Sequence, residues 1–498
     1  MEKRLALAIA LSLLVVIIWS AITPKPYRVD NKGVTQQAAS PVISTPKPIP
    51  ALATEQKISP ASLLTLAQAK AEIIFVAEQA AIKEVVFKEY QDYKFPLEYG
   101  FLLGSGEMTF RSAGITPSAA SFVYSDPNIK ISKQFLLSNS NYTIELHIKI
   151  QNLSSAPLKI DYPLLLGVLN FSVKQKQLYQ SVAVASKEKT LHLNGRKDST
   201  FDNVQFVGIR DRYFCAIIEP DKKGAKYTAF IRKDEASSRV GIQPQDLVVM
   251  PGQTSEQIFH IYLGPQDLKL MNSIKSDWTA VINYGTFDFI SQILLRALEL
   301  LYRLVHSWGW AIVILSLLVY LLLFPLTLKQ MRSMKEMQVL QPHIEELRKK
   351  YKDNPKKLNT ETMKLYQEHK VNPFGGCLPL LLQLPIFFAL YQALMRSVFL
   401  KGASFFWIKD LSEPDRLFTS PVEINILPIL MAIGMFVQQK ASLKTMSTGS
   451  AEQQKMMLVL MPVLFGFIFY RMPAGLVLYW FVNSTLTLIY QLRVNYTK

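Results

Sequence analysis

Six apolar segments without a single Lys, Arg, Asp or Glu interrupt the 498-residue chain, at 5–22, 308–328, 377–395, 424–439, 456–470 and 474–490. A backbone that leaves water has to satisfy its own N–H and C=O groups, so such runs become helices in a bilayer. Their lengths bracket the ~20 residues that cross the hydrocarbon core as a helix. Only 19% of residues are charged and 49% are hydrophobic, which excludes wholesale disorder, and two cysteines exclude a disulfide scaffold. The net charge of +17 admits a nucleic-acid reading or a membrane protein with positive-inside loops.

The placement of charge favours the membrane. Lys3 and Arg4 precede the first segment and predict a cytoplasmic N-terminus. That segment outruns the ~7–15-residue apolar core of a secretory signal and shows no clear A-x-A site after it, so 1–22 reads as an uncleaved anchor. Residues 329–376 hold 11 Lys/Arg against 6 Asp/Glu, whereas 398–423 hold 3 against 4. The first loop is expected in the cytoplasm and the second outside, and six spans return the C-terminus to the cytoplasm.

Between anchor and core lie three regions. Residues 23–69 begin with a Pro-rich stretch (seven prolines from Pro24 to Pro60) and read as a linker. Residues 70–286 alternate in runs such as Ile144 to Ile150, separated by Gly, Pro, Asn and Asp turns, which predicts a mainly antiparallel β-sandwich. Residues 287–307 switch to helical period. Ile290, Ile293, Leu294, Ala297, Leu300, Leu301, Leu304 and Val305 share one face opposite Asp288, Gln292, Arg296, Glu299 and Arg303, as in a helix lying in the membrane interface.

The candidate functional residues come from the remainder, 308–491. In the loop 329–376, Met331, Met334, Met337, Leu340, Ile344, Leu347 and Tyr351 recur at helical spacing, with a kink expected at Pro342 and a turn at Asn354–Pro355, so the loop is a helical hairpin. A Met-rich stripe suits varied apolar ligands, but the simpler account is that it packs the hairpin together, since an isolated helix needs a partner face. In the last span Trp480, Asn483, Ser484, Thr487 and Gln491 follow i, i+3, i+4, i+7, i+11 and share one face. Ser316, Tyr320 and Gln383 add uncharged polar groups on other spans. Polar groups at that depth need partners or water, and interhelical hydrogen bonds account for them as well as a wet cavity does.

The blocks Lys370-Val-Asn-Pro-Phe-Gly-Gly-Cys-Leu-Pro379, Leu382-Gln-Leu-Pro-Ile-Phe-Phe-Ala-Leu-Tyr391, Phe324-Pro-Leu-Thr327, Leu340-Gln-Pro342 and Pro473-Ala-Gly-Leu-Val-Leu-Tyr-Trp480 resemble, in order, the signature of the YidC/Oxa/Alb membrane protein insertases. The anchor, linker and β domain resemble the Gram-negative bacterial branch. The resemblance implies an inner-membrane protein with five core transmembrane helices plus the anchor, and a large periplasmic domain. It implies a groove, open to cytoplasm and lipid, that receives nascent membrane proteins alone or beside the Sec translocon, without nucleotide hydrolysis. Carried onto this chain, Ser316, Tyr320, Gln383, Trp480, Asn483, Ser484 and Thr487 line the groove. Met331, Met334 and Met337 meet substrate at the hairpin, where a ribosome or signal-recognition receptor and membrane lipids are further partners. No DNA, cofactor or metal is implied. Two features depart from the family. Tyr320 occupies the position where the groove usually carries an arginine, and Leu492–Lys498 (the cytoplasmic tail, 492–498) lacks the long basic stretch of some relatives.

Other classes fit less well. There is no G-x-x-x-x-G-K-[ST], H-E-x-x-H or C-x-x-C, and the S-x-x-K at Ser186–Lys189 lies in a polar stretch where chance matches are common, so an enzyme is not expected. An ion-coupled transporter places ionisable groups at mid-membrane, and the spans contain none. A scaffold that only displays the β domain stays open at this level.

Overall fold

The computed structural model describes residues 62–171, 180–222, 225–285, 287–352, 354–369, 371, 378–418, 423–443 and 451–496. The expected anchor and nearly all of the linker lie outside these residues. The first strand, Leu63–Ala67, begins inside the stretch read as linker, so the β domain starts earlier than its prolines suggested.

Alternation of apolar and polar residues builds the β domain as expected. A nine-stranded antiparallel sheet runs, in spatial order, Thr190–Leu193, Ser181–Ala185, Phe206–Arg210, Phe214–Pro220, Thr254–Pro265, Thr143–Asn152, Ile129–Leu137, Ala119–Ser125 and Arg111–Thr116. Two four-stranded sheets complete the sandwich. One is the meander Leu63–Ala67, Ala71–Val76, Ala81–Phe87 and Tyr93–Gly100; the other joins Leu164–Asn170, Ser237–Pro244, Tyr227–Lys233 and Ser199–Phe201. A continuous apolar core links all three. Phe75 of the meander meets Phe135 edge-on at 5.2 Å, and Tyr227 meets Phe259 at 5.4 Å. The domain ends in helical structure, α1 (Leu268–Ile274) and a 3₁₀ segment (Ser276–Val281), so 266–286 is not part of the sandwich. Ser186 and Lys189 close an exposed hairpin turn, where the Ser186 hydroxyl donates to the Lys189 carbonyl at 3.1 Å. The S-x-x-K match is turn chemistry.

Helices α2 (Asp288–Val305), α3 (Trp308–Val339), α4 (Gln341–Lys350), α5 (Pro355–Glu368), α6 (Leu378–Arg396), α7 (Ile426–Leu443), α8 (Ala451–Phe469) and α9 (Ala474–Tyr496) follow. Two corrections concern the hairpin and the tail. Pro342 does not kink one helix: α3 runs unbroken from the first core segment to Val339, and Pro342 sits in the first turn of α4, where its missing N–H leaves no bond unmade. Helix α9 continues to Tyr496, so most of the expected tail is helical.

Helix α2 buries Ser291, Leu295, Leu298 and Leu301 against α3 and α6, a face rotated from the expected one. Ile293, Leu300 and Leu304 are exposed instead, with Phe289 (78%) and Leu304 (71%) the most open. The helix is apolar around more than half its circumference; part packs on the bundle and part is exposed.

Among the described residues, two segments are long and apolar enough to cross a membrane by length and composition, Trp308–Leu328 and Ala474–Arg493. The apolar parts of α7 and α8, Ile426–Lys440 and Leu458–Phe469, are shorter. At 1.5 Å per residue the first of these covers only about 22 Å.

Lys133 is buried inside the sandwich without a carboxylate partner among the described residues. Lys133 faces inward on Ile129–Leu137, and its ammonium donates to the carbonyls of Ala80 and Phe101 at 2.6 Å each. Burial pushes its pKa down to about 7. In the unfolded chain the amine titrates near ~10.4, so between these values the unfolded state holds the extra proton and stability rises with pH; below the folded value the whole penalty is present. Lys133→Met is therefore predicted to gain stability over the native chain at about pH 6 and to lose that advantage by about pH 10. Thermal melts of both proteins across this window check it, and a difference independent of pH contradicts it.

Candidate functional site

Helix α9 organises the core, packing along α3 and α7 and touching α6. Two polar contacts bridge it to its neighbours. Gln383 of α6 donates through Nε2 to the Tyr479 hydroxyl at 2.5 Å, and the Tyr320 hydroxyl of α3 donates to the Leu486 carbonyl at 3.4 Å, with Thr487 within reach of the same hydroxyl. Phe324 meets Tyr490 edge-on at 5.1 Å one turn below. Tyr479, Asn483, Leu486 and Tyr490 follow i, i+4, i+7, i+11, so the seam with α3 and α6 is one continuous face of α9.

The remaining expected groove residues bond mostly to their own helices. Asn483 donates to the Tyr479 carbonyl at 2.9 Å, Ser484 to Phe481 at 2.9 Å and Thr487 to Asn483 at 2.8 Å. Ser316 is fully buried and donates to Ile312 at 2.7 Å. Such back-bonding satisfies a hydroxyl in an apolar setting without any partner helix. Tyr320, Gln383, Asn483 and Thr487 are partly exposed, while Ser484 is buried. Trp480 departs from the polar stripe to which its spacing assigned it. Its ring lies among Phe387, Phe465 and Phe469 at 5.1–5.6 Å, an apolar cluster from α6 and α8. Tyr479 is the residue missed: fully buried, it ties α9 to α6, and its i−4 spacing from Asn483 was the available signal.

The hairpin also requires a correction. Met337 is buried with Leu340, Ile344 and Val371, so it packs the hairpin together rather than offering a surface to substrate. Met331 and Met334 lie on α3, and their side chains are outside the described residues.

At the opposite end of the bundle, the β domain grips the helices. Arg212 donates through Nε to the Met395 carbonyl in the last turn of α6 at 2.7 Å, through Nη2 to the Ser412 carbonyl at 2.7 Å, and pairs with Glu413 at 3.0 Å. Tyr213 adds a hydroxyl bond to Ser412 at 3.1 Å. The gripped loop in turn accepts the first amides of α9, Ala474 N–H to Glu413 at 2.8 Å and Gly475 N–H to Leu411 at 2.9 Å. Arg396 donates to the Asn283 carbonyl at the end of the β domain.

Comparison with known proteins decides the family. The family described as 60Kd inner membrane protein matches residues 300–498, and the YidC periplasmic domain matches 111–297. The membrane protein insertase YidC of Pelobacter propionicus is 33% identical over 99% of both chains, and that of Geotalea uraniireducens is 33% identical over the same shares. The chain belongs to the YidC family of membrane protein insertases. A solved structure described as an active YidC insertase with the first transmembrane domain resolved covers all of both chains at 21% identity and a TM-score of 0.42. The chain is thus an insertase of the inner membrane with a periplasmic domain, not a chemical catalyst, and the nine-stranded sheet falls largely within the periplasmic match.

The Gln383–Tyr479 bridge predicts a measurable coupling. A double-mutant cycle with Gln383→Leu and Tyr479→Phe, read as unfolding free energy in micelles, is expected to give about 0.6 kcal/mol, the usual size for an interhelical hydrogen bond. Strict additivity contradicts the bridge.

Proposed function

We propose that the core is a five-span bundle joined to the N-terminal anchor, both termini cytoplasmic, with a groove along the α3–α6–α9 seam that receives hydrophobic segments of nascent membrane proteins and releases them into lipid. The observation that carries this reading is the pair of polar bridges, Gln383–Tyr479 and Tyr320–Leu486, inside helices with no charge in their apolar segments. The excess of cations in 329–376 over 398–423 supports the orientation. The short apolar parts of α7 and α8 support a locally thinned bilayer on that side.

The energetics follow from the same residues. Partly exposed hydroxyl and amide groups at Tyr320, Gln383, Asn483 and Thr487 give a short polar tail partners partway across, lowering the cost of carrying it through hydrocarbon. The apolar segment then partitions into lipid, and that transfer supplies the driving force. No cation stands in the groove to attract an acidic tail, since Tyr320 occupies the family's arginine position. Clients are therefore selected by apolarity more than by charge. The hairpin α4–α5, with Met331 and Met334 on the adjoining stretch of α3, is the receiving surface for client, ribosome or signal-recognition receptor. Clients are received alone or beside the Sec translocon.

Photoreactive side chains placed at 320, 383, 483 and 487 are expected to crosslink a short nascent membrane protein, while Leu322 and Phe467, exposed on the outside of the bundle, do so weakly. Crosslinks confined to the outer positions would overturn the groove.

A further inference from the structure

A cavity of about 410 Å³ lies where the β domain meets the bundle, a size within the ordinary range of ligand pockets. Its walls come from Tyr93–Pro96, the strand end at Ile209–Tyr213, the end of α6 and the loop beyond it, and the turn Arg471–Pro473 between α8 and α9. Six cations line it, Lys94, Arg210, Arg212, Lys401, Arg416 and Arg471, against the carboxylates of Asp211 and Glu413.

Both carboxylates are already engaged. Asp211 accepts the Tyr93 hydroxyl at 2.7 Å and the amides of Tyr213 and Phe214 at 2.8 Å each, and Glu413 is shared by Arg212 at 3.0 Å and Arg416 at 3.6 Å. Arg210 is only 6% exposed, and its bonds go to neutral oxygens: Ser181 Oγ at 2.6 Å, Asn283 O at 2.9 Å and Gln266 Oε1 at 3.5 Å. The Lys401 ammonium stands over the rings of Tyr93 and Tyr213 at 5.3 and 5.8 Å. Lys94 and Arg471 have no hydrogen bond or ion pair among the described residues. A concave, partly dry site with uncompensated positive charge concentrates anions, and a counter-charge lowers the cost of burying charge of one sign.

The helix ends that wall the cavity also set its depth. On the topology proposed above, on which this inference rests, Tyr391, Met395 and Arg471 stand at the outer face of the membrane, level with lipid headgroups. We infer that this cavity binds the phosphate of an anionic phospholipid from the outer leaflet, with Arg471 and Lys94 supplying free charge and Arg210 the buried one. The bound headgroup neutralises the junction and ties the β domain to the bilayer.

The test is lipid retention by the full chain in vesicles of phosphatidylcholine doped with phosphatidylglycerol, read by native mass spectrometry after extraction. The native chain is expected to retain phosphatidylglycerol over phosphatidylcholine by roughly ten-fold, and Lys94→Gln with Arg471→Gln to bring the two within about two-fold. Arg471→Lys restores most of the preference. Neither the Lys94 nor the Arg471 side chain has a hydrogen bond or ion pair to lose among the described residues, so an unchanged melting midpoint confirms that the double variant is folded. Undiminished preference in the folded variant overturns the site. Saturation by inorganic phosphate or glycerol phosphate, with no preference among lipids, overturns the lipid as its occupant. A chain that crosslinks clients through the groove yet shows no lipid preference loses this inference alone.

Discussion

A helix leaves its last carbonyls without intrahelical donors, and wherever such an end is buried something else must supply them. At the end of α6 the donor is Arg212, reaching from the β domain 183 residues away to the Met395 carbonyl. A guanidinium suits this place because its fork serves several acceptors at once, here Met395, Ser412 and Glu413, and its charge meets the negative end of the helix dipole. The loop it holds then accepts the first amides of α9. One side chain therefore connects the sandwich, the end of α6 and the start of α9. The seam between those two helices, bridged by Gln383 and Tyr479, inherits its outer end from that joint.

The chain displays its architecture unevenly. Apolar runs and alternating strands are local patterns, and they survive folding: the core helices, the sandwich and the Asn354–Pro355 turn, where Asn354 caps α5 by accepting from the Lys357 amide at 3.1 Å, all lie where periodicity puts them. Boundaries and faces were less legible. Leu63–Ala67 follows a proline-rich stretch, and its partner strand is what makes it β. The buried face of α2 could not be told from its periodicity, because the helix is apolar on more than one side and only the bundle decides which side is covered. Met337 belongs to a stripe whose spacing suits both packing and substrate, and its burial with Leu340, Ile344 and Val371 is what distinguishes them.

The least legible residues are those whose role depends on distant partners. Lys133 occupies an inward strand position where alternation alone would call for an apolar residue, and its two carbonyl acceptors lie 53 and 32 residues away. Arg212 carries no motif of its own, and Tyr479 lies in the block Pro473–Trp480 with nothing local to mark its reach to Gln383. Of the expected groove set, Tyr320 and Gln383 reach across to α9, at Leu486 and Tyr479, Asn483 and Thr487 donate within α9, and Trp480 turns into an aromatic cluster with Phe387, Phe465 and Phe469.

The polar groups of the core mostly satisfy one another or their own backbone, and no ionised group is held between the helices' apolar segments. On the proposed groove reading, such a surface would bind no tail tightly and would release an apolar segment readily, as movement down a gradient of hydrophobic transfer requires. The most direct test is reconstitution of the purified full chain in vesicles without nucleotide, followed by protease protection of short membrane proteins graded in the apolarity of one span. Insertion is predicted to exceed that of protein-free vesicles and to rise with apolarity whether or not ATP and GTP are removed. Insertion that depends on nucleotide, or that ignores the apolarity of the client span, would contradict the account.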